Sequence, residues 1–326
     1  MADAKGTSAY LILNPASGSA AAILGSLTTA ARERGIRVHV LEPGEDARHA
    51  ALAAADDGAE PLAAAGGDGT VAAVVGVAVE RDLPLVVVPT GTLNHFARDL
   101  GLDLAHPLHA LDALYAANER RVDVGLLNGR LFINNVSLGI YAEMIADPAY
   151  RQDKLRVAQT KLQALFSEPG SRRALRITPP EEAPLENVVA VVVSNNPYEF
   201  ARWDRLGQRH RLDTGALQIS VLDVSTLDEL ERLLAGTLRG AIEFHPALHH
   251  WTSERLETGV LGEVVRAGVD GEPTTLEAPQ RFSADPGALR VFVPEGSPAS
   301  QQVPPLEAAR HAAGTLHRWL RPPPRS

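Results

Sequence analysis

Three glycines within four residues mark a stretch whose residue types could bind a phosphate. The run Leu62-Ala-Ala-Ala-Gly-Gly-Asp-Gly-Thr70 starts as a short apolar strand, turns at the glycines and continues as an apolar helix over residues 71–79. A glycine turn before a helix N-terminus points backbone N–H groups at an anion, and the helix dipole adds ~0.3–1 kcal/mol. Because Asp68 and Thr70 add a carboxylate and a hydroxyl, the pattern favours Mg²⁺ and phosphate over a βα turn without a ligand.

Two other polar loops also follow apolar strands. Asn14-Pro-Ala-Ser-Gly18 follows a predicted strand at Tyr10–Leu13, and Pro89-Thr-Gly-Thr-Leu-Asn94 follows one at Leu85–Val88. In open α/β sheets, ligands bind beyond the carboxyl ends of the strands. We therefore expect the three loops to meet at one edge of a sheet and to form one site.

The elements that would position these loops alternate along the first part of the chain. Helices are predicted near residues 19–34 and 46–56, with Gly35 as a helix C-cap and a strand at Ile36–Leu41. A further helical region extends to about residue 118. Strands that alternate with helices predict a parallel sheet with helices on both faces, so residues 1–120 are predicted to form an α/β nucleotide-binding domain.

The pattern changes from about residue 121, where strands recur with fewer helices between them. The predicted strands are Arg121–Leu127, Leu131–Val136, Asn187–Val193, Ala216–Leu222, Glu263–Val269 and Leu289–Val293. They predict a second, mostly antiparallel β domain over residues 121–302. Two domains also suit a chain of 326 residues. A helix over about 303–321 is predicted to pack back on the first domain.

Composition excludes several classes of partner and chemistry. The net charge of −9 argues against nucleic-acid binding, and the absence of cysteine excludes disulfides and thiolate nucleophiles. No apolar stretch approaches 18 residues, and the N-terminus does not resemble a signal peptide. We expect a cytoplasmic protein without a transmembrane segment, whose membrane contact is peripheral.

The segment 151–176 is unusually basic for an acidic chain. It holds seven lysine or arginine residues against two acidic ones, and its first half has apolar residues at helical spacing. A basic amphipathic helix is compatible with an anionic membrane surface, but the more common case is a helix packed on its own domain with a solvated basic face.

Several catalytic signatures are missing from the sequence. It contains no Gly-x-x-x-x-Gly-Lys-Ser/Thr, no protein-kinase signature set and no Gly-x-Ser-x-Gly, because Asn135 stands where that last motif needs its first glycine. The three polar loops also lack lysine, so phosphate charge would be neutralised by Mg²⁺, backbone amides and arginine.

Four motifs together resemble the diacylglycerol kinase catalytic-domain family, which includes bacterial soluble lipid kinases and sphingosine kinases. They are Asn14-Pro-Ala-Ser-Gly18, Gly66-Gly-Asp-Gly-Thr70, Pro89-Thr-Gly-Thr-Leu-Asn-His-Phe-Ala-Arg98 and Val269-Asp-Gly-Glu272, in that order. The glycine motif alone is shared with NAD kinases and, more distantly, with phosphofructokinases. The first and last motifs make the lipid-kinase branch more specific, and the match runs roughly from residue 9 to 294.

The resemblance implies a nucleotide bound in the cleft between an α/β domain and a β-sandwich. It implies Asp270 as the general base, with Glu272 beside it and Asp68 in the phosphate loop as catalytic residues. Without the other motifs, Asp270-Gly271 would be interpreted as a hairpin turn. The residues that match the family's ATP-binding positions are Asn14, Pro15, Ser17, Gly18, Gly66, Gly67, Asp68, Gly69, Thr70, Gly91, Thr92 and Asn94.

Two positions depart from the family's pattern. His95 stands where an aspartate is often found, which puts a carboxylate–water–metal network in doubt. In Asp213-Thr214-Gly215, Thr214 replaces the second aspartate of a structural Mg²⁺ motif, which leaves Asp213 as the candidate ligand.

The predicted function is an ATP- and Mg²⁺-dependent lipid kinase that phosphorylates the hydroxyl of diacylglycerol or a related long-chain lipid at the inner face of the membrane. One alternative is a soluble small-molecule kinase of the NAD kinase type. Another is a nucleotide- or lipid-binding regulator that has lost turnover. The oligomeric state, including a homodimer, is left open.

Overall fold

The computed structural model describes residues 8–116, 118–149, 175–180, 183–185, 188–198, 209–224, 246–260 and 264–295, with short pieces at 156–157, 160–161, 164–165, 226 and 229. The C-terminal helix predicted over about 303–321 and most of the basic segment 151–176 lie outside these residues. Among the described residues, no helix combines the length and the apolar character needed to cross a membrane.

The first part of the chain alternates strands and helices as the sequence predicts. Its elements are β1 (Tyr10–Leu13), α1 (Ala20–Glu33), β2 (Arg37–Val40), α2 (Ala47–Asp56), β3 (Leu62–Gly66), α3 (Asp68–Glu80), β4 (Leu85–Pro89) and α4 (His95–Asp99). The four strands are parallel, in the order β2-β1-β3-β4. A 3₁₀ helix (Pro107–Asp112) and the short α5 (Ala113–Ala116) follow, so the predicted helical region to residue 118 is broken into short pieces.

Alternating side chains of these strands fill two cores on opposite faces of the sheet. Leu11, Leu13 and Val86 pack with α1 and the 3₁₀ helix, whereas Ile12 and Val87 pack with α2 and α3. Because both faces are covered, β3 and β4 are buried along their whole length and read as continuous apolar runs. The prediction of helices on both faces is confirmed.

The second part of the chain consists mostly of strands. Its elements are β5 (Asn118–Leu127), β6 (Arg130–Phe132), β7 (Asn135–Gly139), α6 (Ile140–Ile145), β8 (Leu175–Arg176), β9 (Val188–Asn195), β10 (Leu217–Asp223), β11 (Leu248–Ser253), β12 (Arg255–Val260), β13 (Val264–Val269), β14 (Glu272–Glu277) and β15 (Gln280–Val293). Six of these strands form an antiparallel sheet in the order β11-β10-β9-β7-β13-β14.

The remaining strands extend the first sheet instead of forming a separate layer. β15 pairs with β4 through Val291 and Leu85, and it also pairs with β5 and β12, which gives a sheet of nine strands. The predicted domain boundary at residue 120 falls inside β5. The α/β part and the mostly antiparallel part predicted from the sequence are both present.

Some element boundaries predicted from the sequence are wrong. The single strand predicted at Leu131–Val136 is two strands, β6 and β7, because the backbone between them turns to bind a carboxylate. The strand predicted at Leu289–Val293 is the end of β15, which starts at Gln280. β14 was missed because its sequence, Glu-Pro-Thr-Thr-Leu-Glu, is largely exposed and has little apolar signal.

Candidate functional site

The three polar loops meet at the carboxyl edge of the parallel sheet, as predicted. The Asn14 side chain donates to Thr70 Oγ1 at 3.0 Å, which joins the first loop to the start of α3. The Ser19 N–H donates to the Thr90 carbonyl at 2.9 Å, which joins the first loop to the third. The three loops are therefore held together by direct hydrogen bonds.

Glycine is required where these loops touch. A Cβ at Gly91 would lie 2.6 Å from Gly67 Cα, and a Cβ at Gly18 would lie 2.4 Å from the Thr90 carbonyl oxygen. Gly18 also has φ +49°, which L side chains rarely adopt. The backbones of the three loops are packed so closely that side chains at these positions would separate them.

The third loop is closed by Asn94. Its side chain accepts from the Gly91 N–H at 2.8 Å and donates to the Gly91 carbonyl at 2.7 Å. Asp68 accepts from the His95 N–H at 2.9 Å, so the glycine loop is also joined to the start of α4. His95, which stands where the family often has an aspartate, therefore contacts the glycine loop through its backbone N–H, and its side chain is exposed.

The other predicted nucleotide-binding residues lie in the same loops. Pro15 and Ser17 are half-buried, whereas Gly69 and Thr92 are exposed at the loop surfaces. Thr90 was not predicted, although it is fully buried where the loops meet and its hydroxyl has no hydrogen-bond partner in the described chain. A buried unpaired hydroxyl beside these loops fits a site that takes a polar ligand.

Asp270 lies in the turn of the hairpin formed by β13 and β14. Asp270 and Gly271 have φ values of +50° and +85°, as the two residues of a type I′ hairpin require. The hairpin interpretation and the site interpretation are therefore both compatible with this turn. Asp-Gly adopts the backbone angles that the turn requires, and the turn itself makes no use of the aspartate carboxylate.

The carboxylate of Asp270 is held by three consecutive backbone amides. Oδ2 accepts from Ile133 at 2.9 Å, and Oδ1 accepts from Asn134 at 2.7 Å and from Asn135 at 3.2 Å. Burial raises the pKa of Asp270 to about 6, against the opposite effect of the three N–H donors. We call residues 133–135 with these bonds the Asp270 cradle.

The hairpin brings Glu272 to the glycine loop. A Cβ at Gly69 would lie 4.0 Å from Glu272 Oε1, so the two residues face each other across a narrow gap. Glu272 is exposed. The structure therefore brings the Asp-Gly-Glu turn and the glycine loop together from opposite ends of the chain.

Comparisons with known proteins show the family to which this chain belongs. Residues 8–127 match the family model described as the Diacylglycerol kinase catalytic domain. A Pseudomonas aeruginosa protein named "Probable lipid kinase YegS-like" is 32% identical over 283 residues, which cover 84% of this chain and 89% of the relative. The chain belongs to the diacylglycerol kinase family of lipid kinases.

Other relatives support the same family. A protein of Bacillus subtilis named Diacylglycerol kinase is 29% identical over 283 residues, which cover 81% of this chain and 89% of that protein. A crystal structure of a diacylglycerol kinase from Bacillus anthracis aligns with a TM-score of 0.62 at 17% identity, over 89% of this chain and 97% of that one. The chain therefore has the fold of that structure.

The candidate metal ligand Asp213 is placed differently from the other predicted site residues of this lipid kinase. Its carboxylate accepts from Arg211 Nε at 2.8 Å at a half-exposed position. The Thr214 hydroxyl donates to the Asn196 side chain at 2.6 Å. The buried carboxylate beside this turn is Asp123, which accepts from the Gly215 and Gly287 N–H groups.

Arg209 was also missed by the sequence analysis. It is 3% exposed and forms an ion pair with Asp99 of α4, with 2.6 Å between Nη2 and Oδ2. The sequence offers no signal for it, because a chain with 31 basic residues gives no reason to single out one arginine.

Proposed function

We propose that this lipid kinase transfers the γ-phosphate of ATP, in a Mg²⁺-dependent reaction, to the hydroxyl of diacylglycerol or a related long-chain lipid. The observation that carries the proposal is the position of Asp270. Its carboxylate is held by three backbone amides in the turn that also brings Glu272 to the glycine loop. This arrangement supports Asp270 as the base and the glycine loop as the phosphate-binding loop.

The proposed step follows the chemistry of phosphoryl transfer. The acceptor hydroxyl oxygen forms a bond to the γ-phosphorus while the bond from that phosphorus to the bridging oxygen of ADP breaks. The hydroxyl proton passes to the Asp270 carboxylate, which leaves ADP and a phosphorylated lipid. Such a reaction depends on in-line positioning and charge neutralisation, and general-base help contributes about 10²–10⁴-fold.

The residues of the three loops suit a nucleotide phosphate with its metal ion. Close backbone packing at Gly91 and Gly18 holds the three loops together, and the unpaired Thr90 hydroxyl lies where they meet. Asp68 supplies the carboxylate that would hold Mg²⁺ in this loop. These loops contain no lysine, so the ion, when bound, would neutralise the phosphate charge in its place.

The acceptor side of the proposal places the kinase at the cytoplasmic face of a membrane. A long-chain acceptor requires contact with a lipid surface, and the basic segment 151–176 supplies positive charge for anionic headgroups. We expect peripheral contact of this kind to raise activity on lipid acceptors.

The test is transfer of labelled γ-phosphate from ATP in mixed micelles. The acceptors are diacylglycerol, ceramide, sphingosine and undecaprenol, with NAD as a soluble acceptor. Each is run with wild type, Asp270→Asn and Asp82→Asn. Asp82 is a matched control because it is also an aspartate with positive φ, +48°, in a turn far from the cleft.

We expect an organic-extractable labelled product from wild type and from Asp82→Asn, and a loss of about 10²–10⁴-fold in Asp270→Asn. Full activity in Asp270→Asn would overturn the assignment of the base. Label on NAD alone would identify a small-molecule kinase instead, and ATP binding without label on any acceptor would favour the regulator.

A further inference from the structure

One charged side chain near Asp270 is fully buried, and the proposed chemistry does not use it. Arg209 lies between α4 and the antiparallel sheet, and its guanidinium donates four hydrogen bonds and forms an ion pair with Asp99. Nε and Nη2 bind Asp99, Nη2 also binds Asn134 Oδ1, and Nη1 binds the carbonyls of Ile133 and Asn195 at 2.6 and 2.8 Å. A buried arginine is tolerated only when it is satisfied in this way.

Arg209 binds the same residues that hold Asp270. Ile133 donates its N–H to the Asp270 carboxylate and accepts from Arg209 through its carbonyl. Asn134 donates its N–H to Asp270 and accepts from Arg209 through its side chain. The Asp270 cradle is therefore fixed from two sides, by the carboxylate on one and by the guanidinium on the other.

The other end of the ion pair leads to the phosphate loops. Asp99 is the last residue of α4, and His95, the first, donates its N–H to Asp68 in the glycine loop. A helix of five residues thus joins the glycine loop at one end to Arg209 at the other. Asp99 has 5% exposure, so water does not screen this connection.

From these contacts we propose that Arg209 is a positioning residue: paired with Asp99, it fixes the Asp270 cradle relative to the phosphate loops. The proposal rests on the proposed function, since it assigns a purpose to the position of Asp270. It predicts that loss of the guanidinium displaces the carboxylate while ATP still binds its own loops. A misplacement of about 1 Å costs up to about 10²-fold in rate.

The charge of Arg209 gives a second consequence. Burial raises the pKa of Asp270, and the positive charge of Arg209 acts against this effect by stabilising the ionised carboxylate. Other titratable or charged groups near the cradle are Asp99, Tyr198, whose hydroxyl accepts from Asn135 at 2.9 Å, and Glu272 across the turn. Removal of the guanidinium is therefore expected to raise the pKa of Asp270.

The experiment uses Arg209→Met, Arg209→Lys and Asp99→Asn, with Arg290→Met as the matched control. Arg290 also forms a two-bond ion pair, with Glu119 at 2.7 and 2.8 Å, on the first sheet. Three quantities are measured for each: kcat with KM for ATP, the stability to urea, and the titration of the Asp270 carboxyl carbon by NMR, assigned by its loss in Asp270→Asn.

We expect Arg209→Met to lower kcat by about 10–10²-fold with KM for ATP within about twofold, and to move the Asp270 titration to higher pH. Arg209→Lys keeps the positive charge but has three N–H donors in place of five. We therefore expect the pKa of Asp270 in this variant to lie near the wild-type value, while kcat stays below that of the wild type. Arg290→Met should lower the stability to urea and leave both kcat and the Asp270 titration unchanged. If Arg209→Met does not fold, Asp99→Asn tests the same coupling and should lower kcat by a smaller factor.

An unchanged Asp270 titration and an unchanged kcat in Arg209→Met and Asp99→Asn, with stability lowered as in Arg290→Met, would overturn the positioning role. The NMR titration needs no turnover. A wild type without kinase activity would therefore refute the proposed function, while the titration would still decide whether Arg209 controls the cradle.

Discussion

Asp270 combines a constrained backbone with a carboxylate in a polar cradle. Its φ of +50° is fixed by the two-residue turn between β13 and β14, so the side chain leaves the hairpin in one direction. Three N–H groups then orient the carboxylate, and Oδ2 accepts only one of them, which leaves that oxygen with acceptor capacity for a substrate hydroxyl. A base with a pKa near the working pH suits proton transfer.

The pKa of Asp270 predicts how the rate depends on pH. Because burial raises this pKa to about 6, the carboxylate is protonated at lower pH and cannot accept the hydroxyl proton. We expect kcat/KM to fall about tenfold per pH unit below that value and to be level above it. The measurement is kcat/KM from about pH 5 to 8, with Asp82→Asn, which should keep the wild-type profile. A profile without this fall would exclude Asp270 as the titrating base.

At this scale the sequence predicts the residues that carry motifs and misses those that support them. Asp270 follows from Asp-Gly-Glu, since the dipeptide and its neighbour have a recognisable spacing. Arg209 and Thr90 cannot be found in this way, because their roles depend on burial among residues distant in the chain. The sequence around a buried side chain does not show which distant residues it will contact in the folded protein.

At the scale of elements, the site depends on three strand-to-helix connections that converge. The loops after β1, β3 and β4 meet because these strands are parallel neighbours whose carboxyl ends share one edge. Their backbones touch at Gly67 and Gly91, so the distance between loops is set by glycine.

Gly91→Ala tests this close packing. The new Cβ would lie 2.6 Å from Gly67 Cα and 2.8 Å from Asn94 Oδ1, so the third loop must move away from the glycine loop. We expect ATP affinity to fall by about tenfold or more, with a smaller effect on stability. Calorimetric titration with ATP and thermal unfolding measure the two effects.

Gly25→Ala is the control for that substitution. Gly25 lies inside α1 and a Cβ there would meet nothing within 4 Å. Alanine should therefore stabilise the helix by roughly 0.5–1 kcal/mol and leave ATP binding unchanged. Wild-type ATP affinity in Gly91→Ala would show that the loops do not need this contact.

Regular elements are predictable where burial is uniform along them. β3 and β4 are buried on both faces and read as unbroken apolar runs, and their bounds agree with the sequence to within a residue. The run at Leu131–Val136 reads equally as one strand, yet it breaks at Ile133 and Asn134. Their N–H groups bind a carboxylate that lies 137 and 136 residues away along the chain instead of a neighbouring strand, and no local pattern encodes that.

At the scale of the whole molecule, two long strands join the α/β part to the antiparallel part. β5 supplies Val124 to the core around α3 and Leu127 to the core of the second sheet, and β15 divides Val291 and Phe282 between the same two cores. Each strand therefore stabilises both cores. The sequence pattern changes at about residue 120, but both long strands run through the two parts. We therefore expect the two parts to unfold together.

Phe132→Ala tests that cooperativity. Phe132 is fully buried in the core of the second sheet, with its ring edge-on to Phe282 at 6.5 Å between centroids, so truncation should cost about 3–5 kcal/mol. Because the strands are shared, we expect one urea transition that shifts as a whole in far-UV circular dichroism, which the helices of the first part dominate, and in tryptophan fluorescence, to which Trp251 of β11 contributes. Val40→Ala, at the exposed strand β2, should shift both signals only slightly. If fluorescence alone shifted in Phe132→Ala while the circular dichroism transition stayed in place, the two cores would be independent and the shared strands would not couple them.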